Sequence, residues 1–304
     1  MNSISLKNIL DKLNAIGFCD TISCPYCHSK NIIKNGKYKL KQRYICKDCY
    51  KNFNSLTNSP IAMSHIPDKW PSFIECLVNG LSLRASAAVI GVSYVTLFYW
   101  RHKLMRSLIS LSKNELVGDL EADDTFLGYS EKGSKKILGR EPKKSGTKYY
   151  IVDKEKVFLL VAADHSDHLL LKASSSKTTC VNLVNKALGD IVTEKTVLCS
   201  NTKTFYKFFA NIKGIKHHYR ISINNRTENN NIDLAYGCRR SLQAWLDKFK
   251  GIASKYLNNY LSLYNCLRKN NFQKTQVGIN NFFEALKNIN IKESYRSVKT
   301  SKLI

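Results

Sequence analysis

Residues 116–128 read Leu-Val-Gly-Asp-Leu-Glu-Ala-Asp-Asp-Thr-Phe-Leu-Gly. Apolar residues alternate here around an acidic centre, Glu121, Asp123 and Asp124. A period of two marks a strand with two unlike faces. After a basic, glycine-containing segment at 132–148, which reads as an extended loop or ribbon, the same logic continues. Residues 156–163 and 168–173 predict paired strands around the turn Asp164-His165-Ser166-Asp167. Residues 178–188 read as a helix, 196–200 as a short strand, 203–210 as a helix and 215–223 as a strand. Helices at 236–249 and 254–267 close the series. Three early strands followed by alternating helices and strands predict an α/β fold with one mixed sheet.

Upstream of this region the period changes to that of helices. Phe73, Ile74, Leu77 and Val78 share a face of a helix at 72–79 that ends at Gly80. A second helix, Leu83-Arg-Ala-Ser-Ala-Ala-Val-Ile90, runs into the turn Gly91-Val92-Ser93. Ser93 can cap a third helix, 94–105. That helix would bury Leu97 and Trp100 and offer Thr96, Tyr99, Arg101 and Lys103 to a partner. Two short helices around a glycine turn suit a helix-turn-helix, whose second helix enters the DNA major groove. An ordinary helical hairpin has a similar pattern.

Nearer the N-terminus stand Cys24-Pro25-Tyr26-Cys27 and Cys46-Lys47-Asp48-Cys49, with 18 residues between the pairs. Two Cys-x-x-Cys turns at this separation suit one tetrahedral zinc, and in a reducing compartment disulfides are the weaker rival. His28 lies outside the ligand spacing. Residues 28–51 hold eight basic side chains, among them Lys37, Lys39, Lys41 and Arg43, against Asp48 alone. So basic a ribbon could lie on phosphates. The other six cysteines are scattered among apolar residues and read mostly as buried thiols.

The whole chain has 304 residues, 48 basic and 23 acidic, for a formal charge of +25. Residues 1–110 carry a net +10 and residues 201–304 a net +14. Two separated basic regions on a folding chain point to nucleic acid. A hydrophobic content of 43% excludes wholesale disorder. No apolar run reaches 18 residues, which argues against a membrane span. The first 18 residues are amphipathic, with Lys7, Asp11 and Lys12 breaking the apolar pattern, and read as a helix without secretory character. The chain is therefore expected in the cytoplasm. The expected domains are an N-terminal helix at 1–18, a zinc ribbon at 19–58, a helix-turn-helix at 66–110, the α/β domain at 114–268 and a basic, partly disordered tail at 269–304.

Several of these motifs occur together in one family. Cys24-Pro25-x-Cys27 with Arg43-Tyr44-x-Cys46-x-x-Cys49, then Leu81-Ser-Leu-Arg84, Thr96-x-Phe-x-Trp-Arg-His-Lys103 and Glu121-Ala-Asp-Asp-Thr-Phe126 resemble bacterial insertion-sequence transposases of the ISXO type. So does Trp245-Leu-x-x-Phe-x-Gly-Ile-Ala-Ser-Lys255-Tyr-Leu-x-Asn-Tyr-Leu261, the most specific stretch. The resemblance runs in order from about residue 20 to 267. It implies a zinc ribbon, a helix-turn-helix and a ribonuclease H-like domain of the DDE kind. That domain would cut and join duplex DNA at transposon ends, usually as an oligomer, with magnesium or manganese held by three side chains.

Carried over position by position, the first of those ligands is Asp123. The second falls on Asn201 in place of an acid, and the third on Tyr236. A basic residue that the family carries seven positions further along is here Gln243. Asn201 brings no charge, and a tyrosine is a poor magnesium ligand unless ionised, which at its reference pKa near 10 it is not. Other acids, Glu228, Asp233, Asp164 or Asp167, could serve if the register slips, though Asp164–His168 reads better as a hairpin turn. His217 and His218 sit on a strand and need no role beyond packing. Arg239 and Arg240 stand on the helix face expected to meet DNA, and Lys255 is a further DNA-binding candidate. The resemblance therefore implies a DNA-binding transposase relative with weak or absent strand transfer. An active transposase with an unusual metal site and a zinc-ribbon regulator are the alternatives.

Overall fold

The computed structural model describes residues 23–38, 41–54, 56–109, 116–134, 156–175, 179–201, 203–219, 233–249, 251–269 and 294–300. The chain divides into two compact units, one formed by residues 1–111 with 270–300 and the other chiefly by residues 112–269. The expected N-terminal helix at 1–18 and the segment 135–150 lie outside the described residues.

The first unit begins with a three-stranded antiparallel ribbon, β1 (Ile32–Tyr38), β2 (Lys41–Cys46) and β3 (Asn52–Asn54), in the order β1-β2-β3. So small a sheet has little to bury. Its core is Cys24, Tyr44, Cys46 and Phe53, with Tyr44 stacked on Phe53 at 5.5 Å between ring centres. Three helices follow, α1 (Trp70–Val78), α2 (Leu83–Ile90) and α3 (Tyr94–Leu108). Trp70 stacks on Trp100 at 4.6 Å and Phe73 meets both rings edge-on, which fixes α1 against α3. Ser82 and Ser93 cap α2 and α3 by accepting from the amides of Ala85 and Val95. Gly91 takes φ 72°, the left-handed conformation that ends α2 at little steric cost. Across this turn the helices bend by 113°, within the range of helix-turn-helix pairs.

The expected basic, partly disordered tail at 269–304 contains an ordered helix. Helix α8 (Tyr295–Lys299) packs on α3, with Val298 fully buried and the Arg106 guanidinium donating to the Ser297 carbonyl at 2.5 Å. The 191 positions between those two residues explain why no local pattern announced the contact.

The second unit is built on a five-stranded mixed sheet. Its strands are β4 (Leu120–Gly128), β5 (Lys156–Asp164), β6 (Leu169–Ser175), β7 (Val197–Ser200) and β8 (Lys216–Tyr219), in the order β6-β5-β4-β7-β8. β5 runs antiparallel to both neighbours, whereas β4, β7 and β8 are parallel. Parallel neighbours need crossovers, and α4 (Cys180–Leu188) and α5 (Thr204–Lys213) supply them. Counted from its first strand, the order is 3-2-1-4-5, the mixed α/β sheet that the sequence predicts. Leu120, Ala122, Phe158, Leu160 and Ala162 form the sheet side of one core, and Leu183, Val184, Leu188, Tyr206, Phe209 and Ala210 the helix side.

Helices α6 (Asp233–Asp247) and α7 (Leu257–Lys269) complete the unit. The Asn258 side chain both donates to and accepts from the backbone of Ala173 at 2.9 Å, and Asn265 donates to the Leu169 carbonyl. Two asparagine amides thus pair with backbone groups of β6, at one end of the strand order. Asp164 ends β5 as expected of a hairpin, accepting from the amides of Val117, Ser166 and His168 and from the His168 ring.

Candidate functional site

The four cysteines come together at the head of the ribbon. Their sulfur atoms all lie within 4.8 Å of one another, with Cys24 to Cys49 at 3.5 Å and Cys27 to Cys46 at 3.6 Å. A zinc ion bonded to four thiolates at about 2.3 Å would set them about 3.8 Å apart, so the donor set fits. Both turns are built alike. The amide of His28 donates to the Cys24 carbonyl, and that of Tyr50 to the Cys46 carbonyl, each at 2.9 Å. His28 and Tyr50 both take positive φ, 60° and 55°. Two equivalent turns facing each other, in a ribbon almost without a core, are the geometry of a structural zinc site. Among the described residues this is the one His, Cys, Asp and Glu cluster of metal-binding shape.

The second site is the acidic centre of β4. Successive side chains of a strand point to opposite faces. Glu121 and Asp123 therefore face α6, while Asp124 faces α5. Glu121, almost fully buried, accepts from the Ala235 amide at 3.0 Å and so holds the first turn of α6. Burial pushes its carboxyl above the usual range, and the amides of Ala235 and Leu234 oppose this. On the same face the Arg239 Nε donates to Asp123 Oδ2. On the other face Lys203 pairs with Asp124 Oδ2, and the Tyr206 hydroxyl donates to Asp124 Oδ1 at 3.3 Å. Burial and the two aspartates raise the Tyr206 hydroxyl well above its usual pKa, so it remains a donor.

Asn201, just past the end of β7, joins the two faces. Its Nδ2 lies 3.2 Å from Asp123 Oδ1 and 3.2 Å from Asp124 Oδ1, while its carbonyl accepts from the Lys203 amide at 3.1 Å. Asn201 and Asp123 are thus in direct contact. Tyr236 is not brought into the cluster as a ligand. It is 41% exposed, and its ring lies under the Arg239 guanidinium at 5.0 Å. Gln243 bonds Asp247 on its own helix.

All four carboxylate oxygens of Asp123 and Asp124 accept from an amide, a hydroxyl, an ammonium or a guanidinium. Divalent magnesium or manganese asks for uncommitted, negatively charged oxygens. Two aspartates against Arg239 and Lys203 leave the cluster near neutrality, so these residues do not fit a pair of dications.

The residues expected to meet DNA are placed unevenly. Lys37, Arg43, Arg240 and Lys255 are exposed. Thr96 and Tyr99 are half-buried. Lys39 lies outside the described residues, as does the side chain of Lys41. Three expectations are corrected. Arg101 and Lys103 are buried, and Lys103 donates to the Ala62 carbonyl at 2.7 Å, because the far side of α3 is covered rather than open. Arg239 points at Asp123 instead of outward. Lys203, Tyr206 and Glu121 carry roles that the sequence reading did not assign. For Lys203 a signal existed: a cation two positions after Asn201, where the resemblance leads one to expect an acid.

A four-thiol ribbon is joined in one chain to a five-stranded mixed sheet, and its likenesses are to proteins of insertion sequences and other transposable elements. Residues 20–50 match the family model for the InsA N-terminal domain, a zinc ribbon. Over 280 residues, 89% of this chain, the sequence is 24% identical to an uncharacterized protein in transposable element ISH50 of Halobacterium salinarum, 93% of which is covered. Among solved structures, a pre-cleavage Mos1 transpososome overlays with a TM-score of 0.25 at 11% identity, covering 73% of this chain and 78% of the other. The mariner Mos1 paired end complex with Mg gives 0.25 at 12% identity, covering 77% and 79%.

Proposed function

We propose that this chain is a DNA-binding protein of the insertion-sequence transposase kind whose DDE site no longer supports strand transfer. The observation that carries the reading is the engagement of Asp123 by Arg239 and Asn201. The one acid retained among the three ligand positions is paired inside the protein, and the other two positions supply an amide and a phenol. In the ancestral chemistry two cations would polarise the attacking and departing oxygens. Here a guanidinium and an ammonium neutralise the same strand, and neither can activate water.

DNA binding is supported by charge and by the expected modules. The net charge is +25, and Lys37, Arg43, Arg240 and Lys255 are exposed. The partner is duplex DNA of the element's ends, bound by a homo-oligomer. The test is retention and cleavage of duplexes carrying the gene's own flanks, with Mg²⁺ and with Mn²⁺, beside an Asp123→Ala control. Binding should fall steeply with salt, with a log–log slope of roughly −5 if six phosphates are neutralised, and no nicks should form. Metal-dependent nicking by the natural chain that the control abolishes would overturn the reading and favour an active enzyme with an unusual site.

A further inference from the structure

In helix α3, residues 100–105 are buried on every side. The next three positions are buried too, apart from half-buried Arg106, which bonds Ser297. Only the first turn and a half has open side chains: Tyr94 is 54% exposed, Val95 47%, and Thr96, Phe98 and Tyr99 are half-buried. None of these five is charged. Beyond the turn, on α2, Val89 is 62% exposed.

We infer that Tyr94, Val95 and Thr96 form a reading head for thymine methyl groups in the major groove. The inference rests on the DNA-binding reading above and names what that surface recognises. In a helix-turn-helix, the early residues of the second helix meet base edges. These three open the first turn of α3, directly after the turn at which α2 and α3 bend by 113°. A reader of guanine needs a bidentate arginine or lysine; the groove feature that suits valine, a threonine methyl and an aromatic ring is the thymine C5 methyl. Burial of Arg101 and Lys103 removes the cations that would have read guanine from this helix. Phosphate attraction falls instead to exposed basic residues elsewhere in the unit, including Arg84 on α2 and Lys34, Lys37 and Arg43 on the ribbon. Charge complementarity therefore selects DNA as the occupant of this apolar surface, and the lack of charge on the reading head selects the base.

The test uses the full chain and a randomised duplex library. Enriched duplexes are resynthesised with deoxyuridine replacing thymidine one position at a time, which deletes a single methyl. Binding should weaken about fourfold at each of one or two positions, the value of one buried methyl group. The Val95→Ala chain should bind the thymidine and deoxyuridine duplexes alike at one of those positions. Val95 is exposed, so this variant should keep the parent's thermal transition. Salt-sensitive binding that no deoxyuridine alters, or a guanine-dominated site indifferent to Val95→Ala, would overturn this inference and leave DNA binding intact. Failure to retain any duplex at low salt would overturn both.

Discussion

The Nε of Arg239 lies 2.5 Å from Oδ2 of Asp123, joining helix α6 to the strand at the centre of the sheet. Two positions earlier on the same strand face, Glu121 holds the first turn of that helix. β4 thus grips α6 twice, once through a helix end and once through an ion pair. Asn201 and Lys203 bring in the end of β7 on the other side. The acid-centred cluster of β4 has the geometry of a structural brace.

If the brace is structural, Arg239→Ala should destabilise the second unit by about 1–3 kcal/mol, because it leaves the nearly buried Asp123 carboxylate without its cation. Part of that loss should return in Arg239→Ala/Asp123→Asn, which removes the orphaned charge. Urea unfolding of the two single variants and the double variant measures the coupling. Strict additivity would show that the pair contributes nothing.

The same pairing bears on reviving the chemistry. Asn201→Asp with Tyr236→Glu restores three acids by count, but Arg239 still holds Asp123 and Lys203 still holds Asp124. The double variant should bind Mn²⁺ weakly. Adding Arg239→Ser should tighten binding about tenfold, equivalent to about 1.4 kcal/mol. Titration calorimetry reads this directly. Equal affinity in the double and triple variants would mean that Arg239 does not obstruct the metal.

What the sequence disclosed and what it hid follow from the range of each interaction. The spacing of Cys24, Cys27, Cys46 and Cys49 reports a local turn that repeats, so the ligand set was legible. Ser93 caps the next helix through a neighbouring amide, and the alternation through β4 reports its two faces directly. The acid pair was legible only as composition, because its partners lie 77 to 116 positions away. Arg101 and Lys103 misled for a related reason. A cation on a helix reads as solvated unless something covers it, and the cover on α3 includes a helix from the far end of the chain. Arg239 stands three positions after Tyr236, on the same side of α6, and that spacing alone could have aimed it toward β4.

The β5–β6 hairpin should show a defined acid sensitivity. Burial alone would push the Asp164 carboxyl up, but the His168 ring and the amides of His168, Val117 and Ser166 outweigh it and hold the pKa below the usual range. A carboxylate with a depressed native pKa contributes stability above its unfolded value, near 3.9, and loses it as pH falls through the native value. Asp164→Asn should therefore lower the melting temperature at pH 7 and flatten its fall below about pH 4. Parallel pH profiles for the variant and the parent would show that Asp164 is not the titrating group.

The ribbon should depend on its metal more than any other part of the chain. Its core is four residues, two of them thiol ligands, too little to offset the entropy of ordering three strands. The purified chain should carry one zinc. Chelation, or Cys46→Ser, should remove it together with the protease resistance of the ribbon, while the sheet of the second unit keeps its own thermal transition. Metal content by atomic emission, read beside limited proteolysis, makes the comparison. A ribbon equally resistant with and without zinc would mean that Tyr44, Phe53 and the strand ladder suffice alone, and that the four sulfurs converge for some other reason.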